Sequence, residues 1–519
     1  MNRGQRRTTL SPARPRTAIP WRGRSYSIGA ACGLAAQEQS LGHFQAAADI
    51  YDLILARVPD SAEIHNNRGA VLQQLNRHEE ALASYARAVK LKPGYANAHY
   101  NQGTVLKRMH RYTEALASFD KALALNPRHA EACNNCGLIF TALGNMPNAE
   151  KMFLKACALK PDFPDPLFNL VNIRKYHDAE CADAKNILGL LEKPGTPANA
   201  IEVLSFALGK IYDDCGCYDE AFACFRLANQ IRNATVAYNP NAVARTTDDT
   251  MAVFSRDFLA RPFASASTSR SPVFIVGMPR SGTTLLANIL SHHRAIATAG
   301  ELPAIIEFTP GLAELAAKGF PYPQAVKHLS TADAARLVND YERRLKRDLG
   351  SDAPLYVLDK NPLNFRHLGF ISLVFPEARI IHCTRNPMDT GLSNYSVRFP
   401  LNLDYSFDLQ NIGHFYCEYV RLMEHWRKVL PLRMIEISYE EMVLNTEPTA
   451  RRALDFLGLD WDQRCLSPHT NPCAVETASQ WQVRQPLYRH ALERWRHYEK
   501  HLAPLKEALS SNGRILMGR

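Results

Sequence analysis

Residues 273–286 read VFIVGMPRSGTTLL, a short apolar run that breaks into a loop of glycine, serine and threonine. Val273 to Val276 predict a buried strand, Gly277 to Gly282 a tight turn, and Thr283 to Ser291 the helix that follows. At such a junction the N–H groups of the first helical turn converge, the helix dipole adds partial positive charge, and glycine lets an anion approach the backbone. The segment therefore predicts a phosphate cradle.

Nucleoside-triphosphate loops follow G-x-x-x-x-G-K-[ST]. Gly277 and Gly282 keep that spacing, but Thr283 stands where the lysine belongs, and the cation sits inside the loop at Arg280. With no lysine to reach along a β,γ-phosphate, ATPase or GTPase chemistry fits poorly; a kinase on the same loop is one alternative. PRSGTT resembles the 5′-phosphosulfate loop of sulfotransferases, which bind the sulfuryl donor 3′-phosphoadenylyl sulfate (PAPS). By that resemblance Arg280, Ser281, Gly282, Thr283 and Thr284 contact the donor. The competing reading is some other anion site on a strand-to-helix turn.

A second motif lies about a hundred residues on. Ala378 to Cys383 predict another buried strand, Thr384-Arg385-Asn386-Pro387-Met388-Asp389 follows, and Ser393 comes eight residues after Arg385. Ligands in open α/β sheets sit at the carboxyl ends of strands, which places Arg385 and Ser393 for a second phosphate. R-x-P-x-D-x-x-x-S resembles the 3′-phosphate motif of the same family, with arginine giving a fork of donors and serine a hydroxyl. Singly, Arg385 reads as a surface ion pair and Ser393 as a plain helix residue; two motifs in order after two strands favour the ligand.

Within that family the pattern is most similar to the protein-tyrosine sulfotransferases and to bacterial sulfotransferases with tetratricopeptide repeats, over roughly residues 270–500. Glu301 stands 21 residues after Arg280, in TAGEL, where the tyrosine enzymes keep the glutamate taken as catalytic base. Lys360, in LDKNPLN, matches their catalytic lysine, and Tyr439, in ISYEEMV, a tyrosine of the cofactor pocket. Ser479, Pro486, Arg494 and Trp495 match a serine, a proline and a basic-Trp pair, so Ser479 and Arg494 are implied as further cofactor contacts. The resemblance implies catalysis by Glu301, Lys360 and Arg280 on PAPS with no metal. Unaided, Glu301 also reads as a helix N-terminal acid and Lys360 as a turn lysine. The tyrosine enzymes follow the base with arginines that hold acidic residues beside the target; here Leu302-Pro303-Ala304-Ile305 follows.

The first half is different in kind. Pro59, Pro93, Pro127 and Pro161 recur every 34 residues, as do Gly69, Gly103 and Gly137, Ala81, Ala115 and Ala149, and Ala88, Ala122 and Ala156. Tyr85, Phe119 and Phe153 fill an aromatic column. This is a tetratricopeptide array, in which small residues let two helices approach and an aromatic is expected to fill the gap to the next pair. The pattern extends back through Ala35, Ala47 and Tyr51, and forward as Gly209, Ala221, Phe225 and Ala228 after a shift of four residues, so a degenerate repeat is expected between about 164 and 201. Stacked repeats present a groove suited to a peptide or protein partner; the bland alternative is that they only rigidify the rest.

The expected fold is thus an N-terminal α-solenoid of tetratricopeptide repeats followed by a P-loop-like α/β domain with a parallel sheet. The expected divisions are a disordered basic tail at 1–26, the repeats at 27–262, a linker at 263–272 around ASASTSRSP, and the sulfotransferase domain at 273–519. The net charge is +10, and residues 1–24 carry seven arginines and no acid. The remaining cationic excess suits a strongly anionic ligand. Nucleic acid is not implied, because base-reading motifs and stacking platforms are missing. No run of about 18 apolar residues predicts a membrane span. Twelve cysteines without a secretory signal predict reduced thiols and a cytoplasmic location. Cys133-x-x-Cys136 and Cys215-x-Cys217 each lack the second spaced pair of a zinc site, and His292 and His293 read as packing residues. The acceptor is expected to be a hydroxyl, tyrosine in a peptide or protein first, a small molecule, glycan or lipid second. A repeat scaffold with a non-catalytic nucleotide-binding domain is the reading from another class.

Overall fold

The 34-residue period folds as antiparallel helix pairs in a computed structural model that describes residues 27–260, 267, 269–315, 319–346, 354–399, 403–468, 484 and 491–510. The tail expected at 1–26 lies outside these residues, as does most of 261–268. Two compact units part between Ile139 and Phe140, well ahead of the linker composition at 263–272.

In the first unit the pairs are α1 (Ile28–Ser40) with α2 (Phe44–Arg57), α3 (Ala62–Gln74) with α4 (His78–Leu91), and α5 (Ala96–Arg108) with α6 (Tyr112–Leu125). The helix α7 (Ala130–Ala142) spans the division. A Cβ at Gly69 would lie 2.7 Å from the Tyr85 ring, and one at Gly103 2.8 Å from the Phe119 ring, so each glycine admits the aromatic of its own pair. The aromatic column therefore packs inside a helix pair, where the sequence placed it between pairs. Each pair turns through a left-handed residue, Gly42, Asn76 and His110 here and Gly144 and Gly216 further on, with φ between 57° and 78°. His65 and His99 reach back to the carbonyls of Pro59 and Pro93 at 2.9 and 3.0 Å and close the loop ahead of their helices.

The second unit continues with α8 (Met146–Leu159), α9 (Pro164–Asn172), α10 (Ala182–Glu192), α11 (Ala198–Asp214), α12 (Tyr218–Asn233), α13 (Pro240–Val253) and α14 (Arg256–Leu259). α9 and α10 are the degenerate repeat, cut to 9 and 11 residues. Then come β1 (Pro272–Gly277), α15 (Thr283–Leu290), β2 (Ile296–Thr298), α16 (Ala304–Leu315) and α17 (Thr331–Leu345). β3 (Tyr356–Asp359), α18 (Leu368–Val374), β4 (Arg379–Thr384), α19 (Pro387–Tyr395), α20 (Leu409–Val429) and β5 (Arg433–Ser438) follow.

The five strands form one parallel sheet in the order β2-β3-β1-β4-β5. Strand side chains alternate between faces. Phe274 and Val276 enter one apolar core, while Val273 and Ile275 enter the other, so both faces are covered, as parallel sheets require. The first core also takes in Phe206 of α11 and Phe222 and Phe225 of α12. The last repeat is therefore continuous with the packing of the sheet.

Glycines of the array fall into two kinds, and substitution separates them. Gly103→Ala is expected to lower stability by about 1–3 kcal/mol by overpacking the Phe119 ring. Gly189→Ala, on α10 with open space where its Cβ would go, is expected to raise it by about 0.5–1 kcal/mol. Urea denaturation of the two variants checks both signs.

Candidate active site

Every strand delivers a predicted site residue within three positions of its carboxyl end: β1 leads to Arg280, β2 to Glu301, β3 to Lys360, β4 to Arg385 and β5 to Tyr439. Strands β2 and β3 lie on one side of β1, and β4 and β5 on the other, so the chain reverses direction between β1 and β4. That reversal opens a crevice flanked by the loops carrying Arg280 and Arg385.

The loop after β1 is curled by positive φ at Gly277, Arg280 and Gly282. Turns of this kind gather successive N–H groups into an anion-binding concavity. Gly282 caps α15 without a side-chain hydrogen bond. A Cβ at Gly282 would lie 2.7 Å from the Tyr439 ring, and one at Gly277 would meet the Cys383 carbonyl. The glycines thus let the loop close on β4 and Tyr439. Ser281, Thr283 and Thr284 are buried beside them.

Arg280 and Ser393, 113 positions apart, meet directly: Arg280 Nε donates to Ser393 Oγ at 3.0 Å. Arg385 donates to the carbonyl of Arg280 at 3.1 Å and to that of Ala491 at 2.7 Å, and its guanidinium lies 4.4 Å from the centre of the Tyr439 ring. The 5′ and 3′ motifs and Tyr439 therefore form one cluster. Two buried donors in it, Ser281 Oγ and Arg385 Nε, have no hydrogen-bond partner among the described residues. Buried polar groups are nearly always paired, so a pair of orphans on the two loops of one crevice fits a ligand rich in anionic oxygen.

Glu301 and Lys360 form the second cluster. The β2–β3 ladder runs on past the strand ends, with Ala299 N donating to Leu358 O and Lys360 N to Gly300 O, both at 2.9 Å. This sets the two side chains together, and Lys360 Nζ donates to Glu301 Oε1. The lysine side chain is 4% exposed and the glutamate 42%, so a buried ammonium is paired with a carboxylate that still faces outward. Burial pulls the Lys360 ammonium below its ordinary pKa against the opposing pull of Glu301.

Asp359, the last residue of β3, is fully buried next to that lysine. Its Oδ2 accepts from Tyr341 Oη of α17 at 2.9 Å and from Asn364 Nδ2 at 3.2 Å, while Oδ1 has no partner among the described residues. Burial pushes its carboxyl up to about 7, although those hydrogen bonds work against the rise. Asp359 was quoted from sequence only as part of LDKNPLN, and its contact with Tyr341 went unread because 18 residues separate the two.

Arg494 ion-pairs with Asp213 of α11 at 2.8 Å. Ser479 and Pro486 lie outside the described residues. Asp389, quoted from sequence only as part of a motif, accepts from the main-chain N–H groups of Glu493 and Trp495 at 2.8 and 2.9 Å. His292 bonds the Asn288 carbonyl and buried His293 accepts from Ala295 N, so both serve local structure. No helix among the described residues is long and apolar enough to cross a membrane.

Residues 272–463 match the model of the sulfotransferase family, and residues 62–95 and 100–164 match tetratricopeptide repeat models. Among related proteins, an uncharacterized protein of Aquifex aeolicus is 34% identical over 331 residues, 62% of this chain and 43% of that one. The protein-tyrosine sulfotransferase of Drosophila melanogaster is 24% identical over 43% of this chain and 46% of its own length. Protein-tyrosine sulfotransferase A of Caenorhabditis elegans is 24% identical over 43% of this chain and 60% of its own length. The chain thus spans about half the length of these relatives.

The raised Asp359 pKa makes a prediction with a definite sign. The folded state holds a proton that the unfolded state releases near pH 4, so this group's contribution to stability is full below that and is lost as pH rises to about 7. Asp359→Asn removes the group, so its stability relative to the parent chain is expected to be greater at pH 8 than at pH 5. Urea denaturation at the two pH values measures the difference.

Proposed function

We propose that this chain, whose residues 272–463 match the model of the sulfotransferase family, transfers a sulfuryl group from PAPS to an acceptor hydroxyl, with tyrosine in a peptide or protein as the first candidate. The observation that carries the reading is the meeting of Arg280, Ser393, Arg385 and Tyr439 at the reversal point of the sheet, with two buried donors, Ser281 Oγ and Arg385 Nε, unpaired among the described residues.

In this reading the Ser281–Thr284 loop and Arg280 hold the 5′ end of the donor, and Arg385 and Ser393 hold the 3′-phosphate. PAPS supplies an activated sulfuryl group and a nucleotide leaving group. The remaining chemistry is positioning and electrostatics, since the attacking and leaving oxygens must be in line. Glu301, the exposed member of its ion pair, takes the proton of the acceptor hydroxyl. A phenol, with a pKa of about 10, yields that proton more readily than an alkyl alcohol does. Lys360, buried and held by Glu301, is placed to offset negative charge on the sulfuryl and leaving oxygens. Support for a protein acceptor comes from the repeats, since tetratricopeptide grooves hold extended partners.

Glu301→Gln is expected to cut turnover with labelled PAPS by about a hundredfold or more while adenosine 3′,5′-bisphosphate still binds by calorimetry. A tyrosine peptide assayed beside a sugar panel decides the acceptor, and transfer to sugars alone refutes tyrosine. Binding of ATP with magnesium in preference to the bisphosphate would refute the donor.

A further inference from the structure

The stretch 491–498 touches both the 3′-phosphate motif and the repeats. On one side, Ala491 O accepts from Arg385, and the N–H groups of Glu493 and Trp495 close on the Asp389 carboxylate, at 2.7 to 2.9 Å. These are main-chain groups, so they hold Arg385 and Asp389 in place only if the strap itself is fixed. Its own backbone does not supply that fixity, because Glu493 adopts a left-handed φ of 53°, which a residue other than glycine keeps only when its surroundings impose it.

The surroundings are two repeat helices. Asp213 near the end of α11 accepts from Tyr498 Oη at 2.5 Å and pairs with Arg494 at 2.8 Å. Burial disfavours the Asp213 carboxylate, yet Arg494, the Tyr498 hydrogen bond and Lys175 together outweigh it and hold the pKa below its ordinary range. On α12, Asp219 takes Lys500 and His501, each at 2.7 Å, and Phe222 stacks on His501 with centroids 4.4 Å apart.

We propose that Asp213 is a positioning residue for the 3′-phosphate end of the donor site: by anchoring Arg494 and Tyr498 it fixes the strap whose main chain holds Arg385 and Asp389. The last repeat is then part of the nucleotide site, acting through Arg385 without touching the ligand. The inference rests on the proposed donor reading and adds to it a residue from the other half of the chain.

Calorimetric titration of the full chain with adenosine 3′,5′-bisphosphate and with AMP, which lacks the 3′-phosphate, tests it. Asp213→Asn is expected to weaken the bisphosphate about tenfold, the scale of one hydrogen bond put out of place, and to leave AMP binding unchanged. Asp213→Glu is expected to restore most of the loss. Should Asp213→Asn fail to fold by circular dichroism, Tyr498→Phe, which removes the hydroxyl that Asp213 anchors, is expected to show the same split. Equal loss for both nucleotides, or no loss, overturns the role of Asp213 while the donor site stands. A parent chain that ignores the bisphosphate overturns the donor site, and this role with it.

Discussion

The geometry at the carboxyl ends of the strands depends on the parallel register of β1 with β4, in which Gly277 lies opposite Cys383. In a sheet with one wet face, a slip of one residue would expose apolar side chains and be rejected for that reason. Here both faces are apolar, since Val273, Phe274, Ile275 and Val276 are all fully buried, and hydrophobic pattern alone does not pin the strand. A steric requirement does. Any residue with a Cβ at position 277 would run into the Cys383 carbonyl, so a shift bringing Val276 or Met278 there is excluded. The loops after β1 and β4, and with them Arg280 and Arg385, inherit their spacing from that contact.

The crevice contrasts with the Glu301–Lys360 pair. In the crevice the Arg385 charge is spread over a guanidinium engaged with two carbonyls and a ring, and its Nε has no hydrogen-bond partner among the described residues. Lys360 is instead a single buried ammonium balanced by one carboxylate, beside the fully buried Asp359. A buried charge is tolerated when paired, and removing one partner strands the other. The sheet edge thus holds an anion-receptive region and a region whose charges are already balanced.

Legibility followed range. The loop at 277–284 and the motif at 385–393 are local, and so was the placement of their residues at strand ends. The repeat columns of glycine and aromatic were plain because the side chain itself is what the packing selects. The column of left-handed turn residues went unread: glycine, asparagine and histidine occupy it in turn, and what recurs is a φ angle and not a side chain. Asp389 was quoted without a role because its partners are backbone N–H groups, which no residue type announces. The Arg494 contact joins positions 213 and 494, pairing a repeat helix with the sheet-bearing half, and no single motif spans both.

Repeat arrays change length by duplicating or deleting whole modules, a change tolerated where a module meets only its neighbours. The pair α11 and α12 does not satisfy that condition. Phe206, Phe222 and Phe225 are bricks of the same apolar mass as the sheet, and Asn229 donates to the Tyr395 carbonyl at the end of α19 at 2.8 Å. A module can therefore be added or removed without disturbing the sheet only upstream of this pair. The final module stays locked to the sheet-bearing half, whatever number of units precedes it.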